Sequence, residues 1–206
     1  MPRASATEAA ATARRILDVA GGHFAEVGFA AASIDDIARA AGVTRGAVYH
    51  HYSSKPGLFL AVARAHQHAL AESIVTATEG RDAASAVSSG SHAFLDGITR
   101  DAAARVLLVD GPAVLSWGEW RRLDAEGPAT RLREGLAEAG IPPALLDTVT
   151  AALSGAMNEL ALWLSERPDD TTARAQAHEA LDLLLDAAVR GKTKAPGWSP
   201  GPSDQA

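Results

Sequence analysis

Cysteine is absent from this 206-residue chain, which removes disulfides, thiolate metal sites and thiol nucleophiles together. Aromatic residues are scarce at 5%, and beyond residue 60 Phe94 is the only phenylalanine. No stretch reaches the roughly 18 consecutive apolar residues of a membrane span. The start, MPRASATEAAATARR, lacks the apolar centre of a secretion signal. Neither strand-like alternation of useful length nor an internal repeat is present. Phosphate-loop, nucleophile-elbow and metal-ligand motifs are missing as well. His66 and His68 are two residues apart, about 200° around a helix, so they do not face one ion. His92, Asp110 and Glu119 could be drawn as an acid–base set, yet no catalytic motif surrounds them. These absences point to a cytoplasmic protein that is not an enzyme and has no cofactor, metal or membrane partner.

What is present is apolar residue at helical spacing. Hydrophobic residues make up 47% and charged residues 21%, the balance of a folded globular chain. The formal charge of −6 argues against a polyanionic partner in sum, but it is unevenly spread: residues 1–55 carry +1 and the remainder −7.

The most informative stretch is SIDDIARAAGVTRGAVYHHYSSK, residues 33–55. Ser33 stands three residues before Asp36, the spacing of a capping box that opens a helix. Ile34, Ile37, Ala38 and Ala41 then form one apolar stripe, and Gly42 sits where a helix ends in a left-handed conformation. Thr44 can cap a second short helix that offers Val48 to the core. Its other faces show Thr44, Arg45, Gly46, Ala47, Tyr49 and His50. Two helices joined by a short glycine turn predict a helix-turn-helix, whose second helix enters the DNA major groove.

Before this stretch a helix is expected from Thr7 to about Val27, with Ile16, Ala20, Phe24 and Val27 on one face and Gly28 as its end. After it, Ser54 caps a helix of about 25 residues, roughly 37 Å long, that leaves the small unit for a second one. Helices are expected over 83–99 and 102–109, followed by a turn at Gly111-Pro112. From there a helix continues through AVLSWGEWRRL to Gly127, another follows to Gly140, and two long ones span 144–166 and 172–190. Both long helices are apolar over more than a narrow stripe, the pattern of a two-fold dimer formed through this pair. Should the second unit hold a pocket, Phe94, Trp117, Trp120, Met157 and Trp163 are its expected walls, with His92 and Asn158 as polar anchors. The expected organisation is all-α. An arm and three-helix helix-turn-helix DNA-binding domain occupy 1–54, a helical ligand-binding and dimerisation domain 55–190, and a disordered Gly/Pro/Ser-rich tail 191–206.

The run GFAAASIDDIARAAGVTRGAVYHHYSSKPGLFLAV resembles the TetR family of bacterial transcriptional regulators. Gly28, Ile37-Ala38, Ala41-Gly42-Val43, Tyr49, Tyr52, Lys55 and Leu58 all fall in register. The resemblance covers about residues 16–62. It implies a homodimer that represses by binding a palindromic double-stranded DNA operator and lets go when a small-molecule effector occupies the C-terminal domain. Position by position, it implies that Arg45, Ala47 and His50 face base edges while Ser33, Thr44, Tyr49, His51 and Lys55 serve the DNA backbone. Ala32, where many members carry threonine, and Pro56, where an acidic residue is usual, depart from the pattern. Physical chemistry favours some of these roles independently. The arginine fork fits guanine O6 and N7, hydroxyls such as those of Thr44 and Tyr49 position on phosphates, and Lys55 beside the free amides of a helix start suits an anion. The rival reading is a DNA-binding architectural protein that responds to no ligand.

Overall fold

A computed structural model describes residues 6–100, 103–125 and 127–190. The expected tail at 191–206 and residues 1–5 of the arm lie outside the described residues. Among the described residues every regular element is helical.

Helix α1 (Ala6–Ala31) buries Ile16, Ala20 and Phe24 at four-residue spacing and breaks at Gly28 (φ 77°, ψ 167°), a conformation open essentially to glycine alone. Val27, expected on the buried face, is 42% exposed just before that break. Helix α2 (Ile34–Ala40) is capped by Ser33, and it ends as expected at Gly42 (φ 64°). The Val43 amide reaches back to the Ala38 carbonyl and that of Gly42 to Arg39. The cap is only half of the expected box: the Ser33 hydroxyl accepts from the Asp35 amide, and Asp36 turns to Arg39 at 2.8 Å. Helix α3 (Arg45–Tyr52) starts on Thr44, whose hydroxyl accepts from the Ala47 amide, and buries Val48. Tyr52 ties its far end to α1 by donating to the Ala13 carbonyl at 2.7 Å. Burial, and then the charge of Asp18, push that phenol above its ordinary range, so it stays a donor.

Helix α4 (Lys55–Thr78) begins on the Ser54 cap with Pro56 in its first turn, where a missing amide leaves no partner wanting. It belongs to two neighbourhoods. Leu58, Phe59, Val62 and Ala63 pack at the α1 end, and Leu70 and Ile74 pack beneath α5 (Ala83–Ile98). One continuous apolar core therefore runs through both units.

The next stretch corrects the expected turn at Gly111-Pro112. The chain stays helical there, as a π-helical turn over Arg105–Asp110 that runs into α6 (Gly111–Val114). In this wider register the Gly111 amide bonds to Val106, five residues back, and Pro112 has no amide to offer Leu107. The indole of Trp120 supplies that bond instead, donating to the Leu107 carbonyl at 2.9 Å. The break falls later, at Leu115–Ser116. There the Ser116 hydroxyl accepts from the Glu119 amide, and the Glu119 carboxylate accepts from the Ser116 amide and hydroxyl, opening α7 (Trp117–Ala125). Those bonds hold the Glu119 carboxyl below its ordinary range. Helices α8 (Pro128–Glu138), α9 (Pro143–Ser165) and α10 (Thr171–Arg190) complete the described residues, α8 against α5 and α9, and α10 against α5 and α9.

Candidate nucleic-acid interface and effector cavity

The three caps place one polar face on the outside of α2 and α3. Arg45, Tyr49 and His50 are exposed on it, and His51 and Ala47 are half-buried. The Arg45 guanidinium donates to Asp35 Oδ2 at 2.9 Å and to the Tyr49 hydroxyl at 3.3 Å. The hydrogen bond to Tyr49 first, and the Asp35 charge second, raise its already high pKa. His50 and His51 lie ring to ring at 5.4 Å. The hydroxyls of Ser33 and Thr44 both accept from helix amides, so either would offer DNA its remaining O–H donor.

Lys55 is placed less freely than expected. Its Nζ donates to the Ala30 carbonyl at 3.3 Å and sits 4.5 Å from the centroid of Phe29. The same corner meets the second unit. The Phe29 amide donates to Asp110 Oδ2 at 2.9 Å, and Asp110 lies 3.9 Å from Arg105. The Arg105 guanidinium occupies the space that a side chain at Gly28 would need. The π-helical turn thus grips the Gly28 break one residue from the ring that Lys55 covers.

A cavity of about 250 Å³ opens between α4, α5, α8 and α9. Ile74, Val87, Phe94, Leu132 and Met157 form its apolar walls, and the exposed side chains of Arg81, Arg131, Glu134 and Glu138 line it as well. Ser91 and Thr78 also line it, but their hydroxyls donate to their own helices. Of the residues expected around a pocket, Phe94 and Met157 are walls and four others are not. Trp120 is engaged with Leu107, as described. His92 faces α10, its ring nitrogens 2.7 Å from His178 and 2.8 Å from Asp182. Trp163 lies under the Arg167 guanidinium at 4.4 Å, and Asn158 is half-buried away from the cavity walls. The Trp117 side chain lies outside the described residues. The further apolar walls Ile74, Val87 and Leu132 are aliphatic, and aliphatic residues at helical spacing carry no mark that separates a cavity from a packed core. His92, Asp110 and Glu119 are dispersed to three separate partners and form no acid–base set.

Residues 16–62 match the family of bacterial regulatory proteins of the tetR type, and residues 84–188 match the tetracyclin repressor-like C-terminal domain. The chain belongs to the TetR family. The chain is 47% identical over 70 residues to the HTH-type transcriptional regulator SrpR of Pseudomonas putida, spanning 34% of this chain and 33% of that one. It is 40% identical over 72 residues to the HTH-type transcriptional repressor AcnR of Corynebacterium diphtheriae, 35% and 38% of the two chains. The likeness to these TetR relatives thus spans little more than a third of their length. The whole fold is shared with the regulator FadR of Bacillus subtilis, solved in complex with stearoyl-CoA. There the TM-score is 0.70 at 18% identity, over 84% of this chain and 97% of that one.

Proposed function

We propose that this TetR-family protein is a cytoplasmic transcriptional repressor. It binds a palindromic operator as a homodimer and releases it when a small apolar effector enters the α4–α5–α8–α9 cavity. The observation that carries this reading is one helix with two ends. Helix α4 starts at Lys55 beside the recognition helix and lines the cavity near its other end with Ile74 and Thr78. An effector that favours one position of α4 biases the other end, and only such differential binding shifts the equilibrium. The Asp110–Phe29 bond offers a second path through α1. Support for an apolar effector comes from the apolar walls Ile74, Val87, Phe94, Leu132 and Met157, and from the lining hydroxyls of Ser91 and Thr78, which already donate to their own helices. A protein of the same fold is solved with stearoyl-CoA, whose acyl chain is apolar.

The proposed organisation keeps residues 1–54 for DNA and 55–190 for effector and partner. Arg45, Ala47 and His50 serve as base contacts, and Ser33, Thr44, Tyr49, His51 and Lys55 as backbone contacts. The dimer face lies on α9 and α10, where Leu145, Leu183 and Leu184 are left 53%, 69% and 42% exposed after the fold has packed. Two recognition helices related by a two-fold axis then meet half-sites about 34–36 Å apart.

A gel shift with the DNA upstream of the chain's own gene tests the operator reading, which fails if no sequence-selective complex forms. Arg45→Ala should relax base preference, whereas Lys55→Ala should weaken all duplexes alike and lower the salt slope by about one. An unchanged slope would remove Lys55 from the phosphate contacts. Leu183→Arg should turn the dimer into monomers in sedimentation without lowering helix content; a persistent dimer would move the interface elsewhere. A thermal-shift screen of apolar compounds, followed by the gel shift, tests release. A ligand that stabilises the protein yet leaves every complex intact would favour the architectural alternative.

A further inference from the structure

From the α2–α3 geometry we propose that Asp35 is a specificity-determining positioning residue, one that holds Arg45 in its reading orientation before DNA arrives. The inference deepens, and rests on, the reading of Arg45 as a base contact.

The residues at the start of α2 are used unevenly. Asp36 pairs within its own helix with Arg39, and the Asp35 amide is capped by Ser33. The Asp35 carboxylate instead crosses to α3 and takes Arg45 Nη1 at 2.9 Å, while Nη2 donates to the Tyr49 hydroxyl at 3.3 Å. The guanidinium also lies 5.4 Å from the Tyr49 ring centroid. A long, rotamer-rich side chain is therefore anchored at both terminal nitrogens, and its other N–H donors stay available to a base edge.

Fold stability does not explain this pair. Both side chains are more than half exposed, at 58% and 55%, and an ion pair so exposed contributes little. Beside a phosphate backbone a carboxylate also opposes binding. An acidic group on this face lowers affinity for all DNA, and what it supplies is orientation. A bidentate contact to guanine depends on the plane of the guanidinium, so an arginine fixed beforehand separates the matching base pair from others more sharply than a free one.

The test uses the full chain and duplexes selected from a randomised pool. Anisotropy titrations at several salt concentrations compare wild type, Asp35→Asn, Arg45→Ala and the double variant. They use the selected duplex, its single base-pair changes and an unrelated duplex. Asp35→Asn should lose about tenfold of the discrimination at the base pair that Arg45→Ala also affects, while binding the unrelated duplex as tightly or tighter. In the Arg45→Ala background the same change should cost no further discrimination. Wild-type discrimination in Asp35→Asn, or a loss that persists without Arg45, overturns the proposal. So does a loss spread evenly over all positions with a lowered melting temperature, which marks a role in helix stability alone. Full discrimination retained by Arg45→Ala would refute base reading by Arg45, and this proposal with it, while leaving operator binding intact. A wild type that selects no sequence would overturn the operator reading itself.

Discussion

Phe59→Ala should lower the unfolding free energy by about 3–5 kcal/mol, the cost of emptying a buried aromatic site. Phe59 is fully buried and meets Phe24 edge-on at 5.3 Å and Phe29 at 5.2 Å, so it joins α4 to both sides of the Gly28 break. Phe29 in turn carries Lys55 on its face and donates its amide to Asp110. The loss therefore reaches the Lys55 contact and the grip of the second unit together. Urea unfolding followed by circular dichroism measures the stability, and operator binding well below the midpoint measures the second effect. A change under 1 kcal/mol would mean that the three rings do not hold the two units together.

Gly57→Ala should also destabilise, by about 2–3 kcal/mol, although helix propensity alone predicts a gain of up to about 1 kcal/mol inside α4. A Cβ at Gly57 would come within 2.3 Å of the Tyr52 carbonyl oxygen and 3.2 Å of the Ser54 hydroxyl. The first contact is backbone at the last residue of α3, so relief requires moving the recognition helix. The second disturbs the cap that starts α4. Operator affinity should fall by more than tenfold at temperatures where the chain remains folded. Gly22→Ala is the matched control. Nothing lies within 4 Å of its added carbon, and it should be neutral or stabilising by up to about 1 kcal/mol. Equal melting shifts for the two variants would refute the steric account.

The helix-turn-helix was legible because its determinants act over a few residues. A hydroxyl three positions before an amide, or a glycine that accepts φ of 64°, works the same way wherever the helix sits. Gly42, Thr44 and Ser54 do what their spacing predicts, whereas Ser33 caps the amide of Asp35, two positions on, and Asp36 pairs with Arg39. Two further local signals lie in the sequence. Ser116 stands three residues before Glu119, a capping box that explains the break before α7, and Pro112 leaves a carbonyl in need of a donor. The remaining differences are of another kind. Phe29 and Asp110 are 81 residues apart, and His92 and His178 are 86 apart. No periodicity along the chain announces such pairs.

The same division applies to the site residues. From the amino-acid sequence alone follow the family and the two short helices with their caps, because capping and backbone preference are short-range forces. Packing of distant helices decided the rest: that Asp35 and Tyr49 hold Arg45, that the π-helical turn grips Gly28, and that aliphatic side chains enclose the cavity. Which way a side chain faces across two helices depends on how those helices meet, and that is set by the whole core at once.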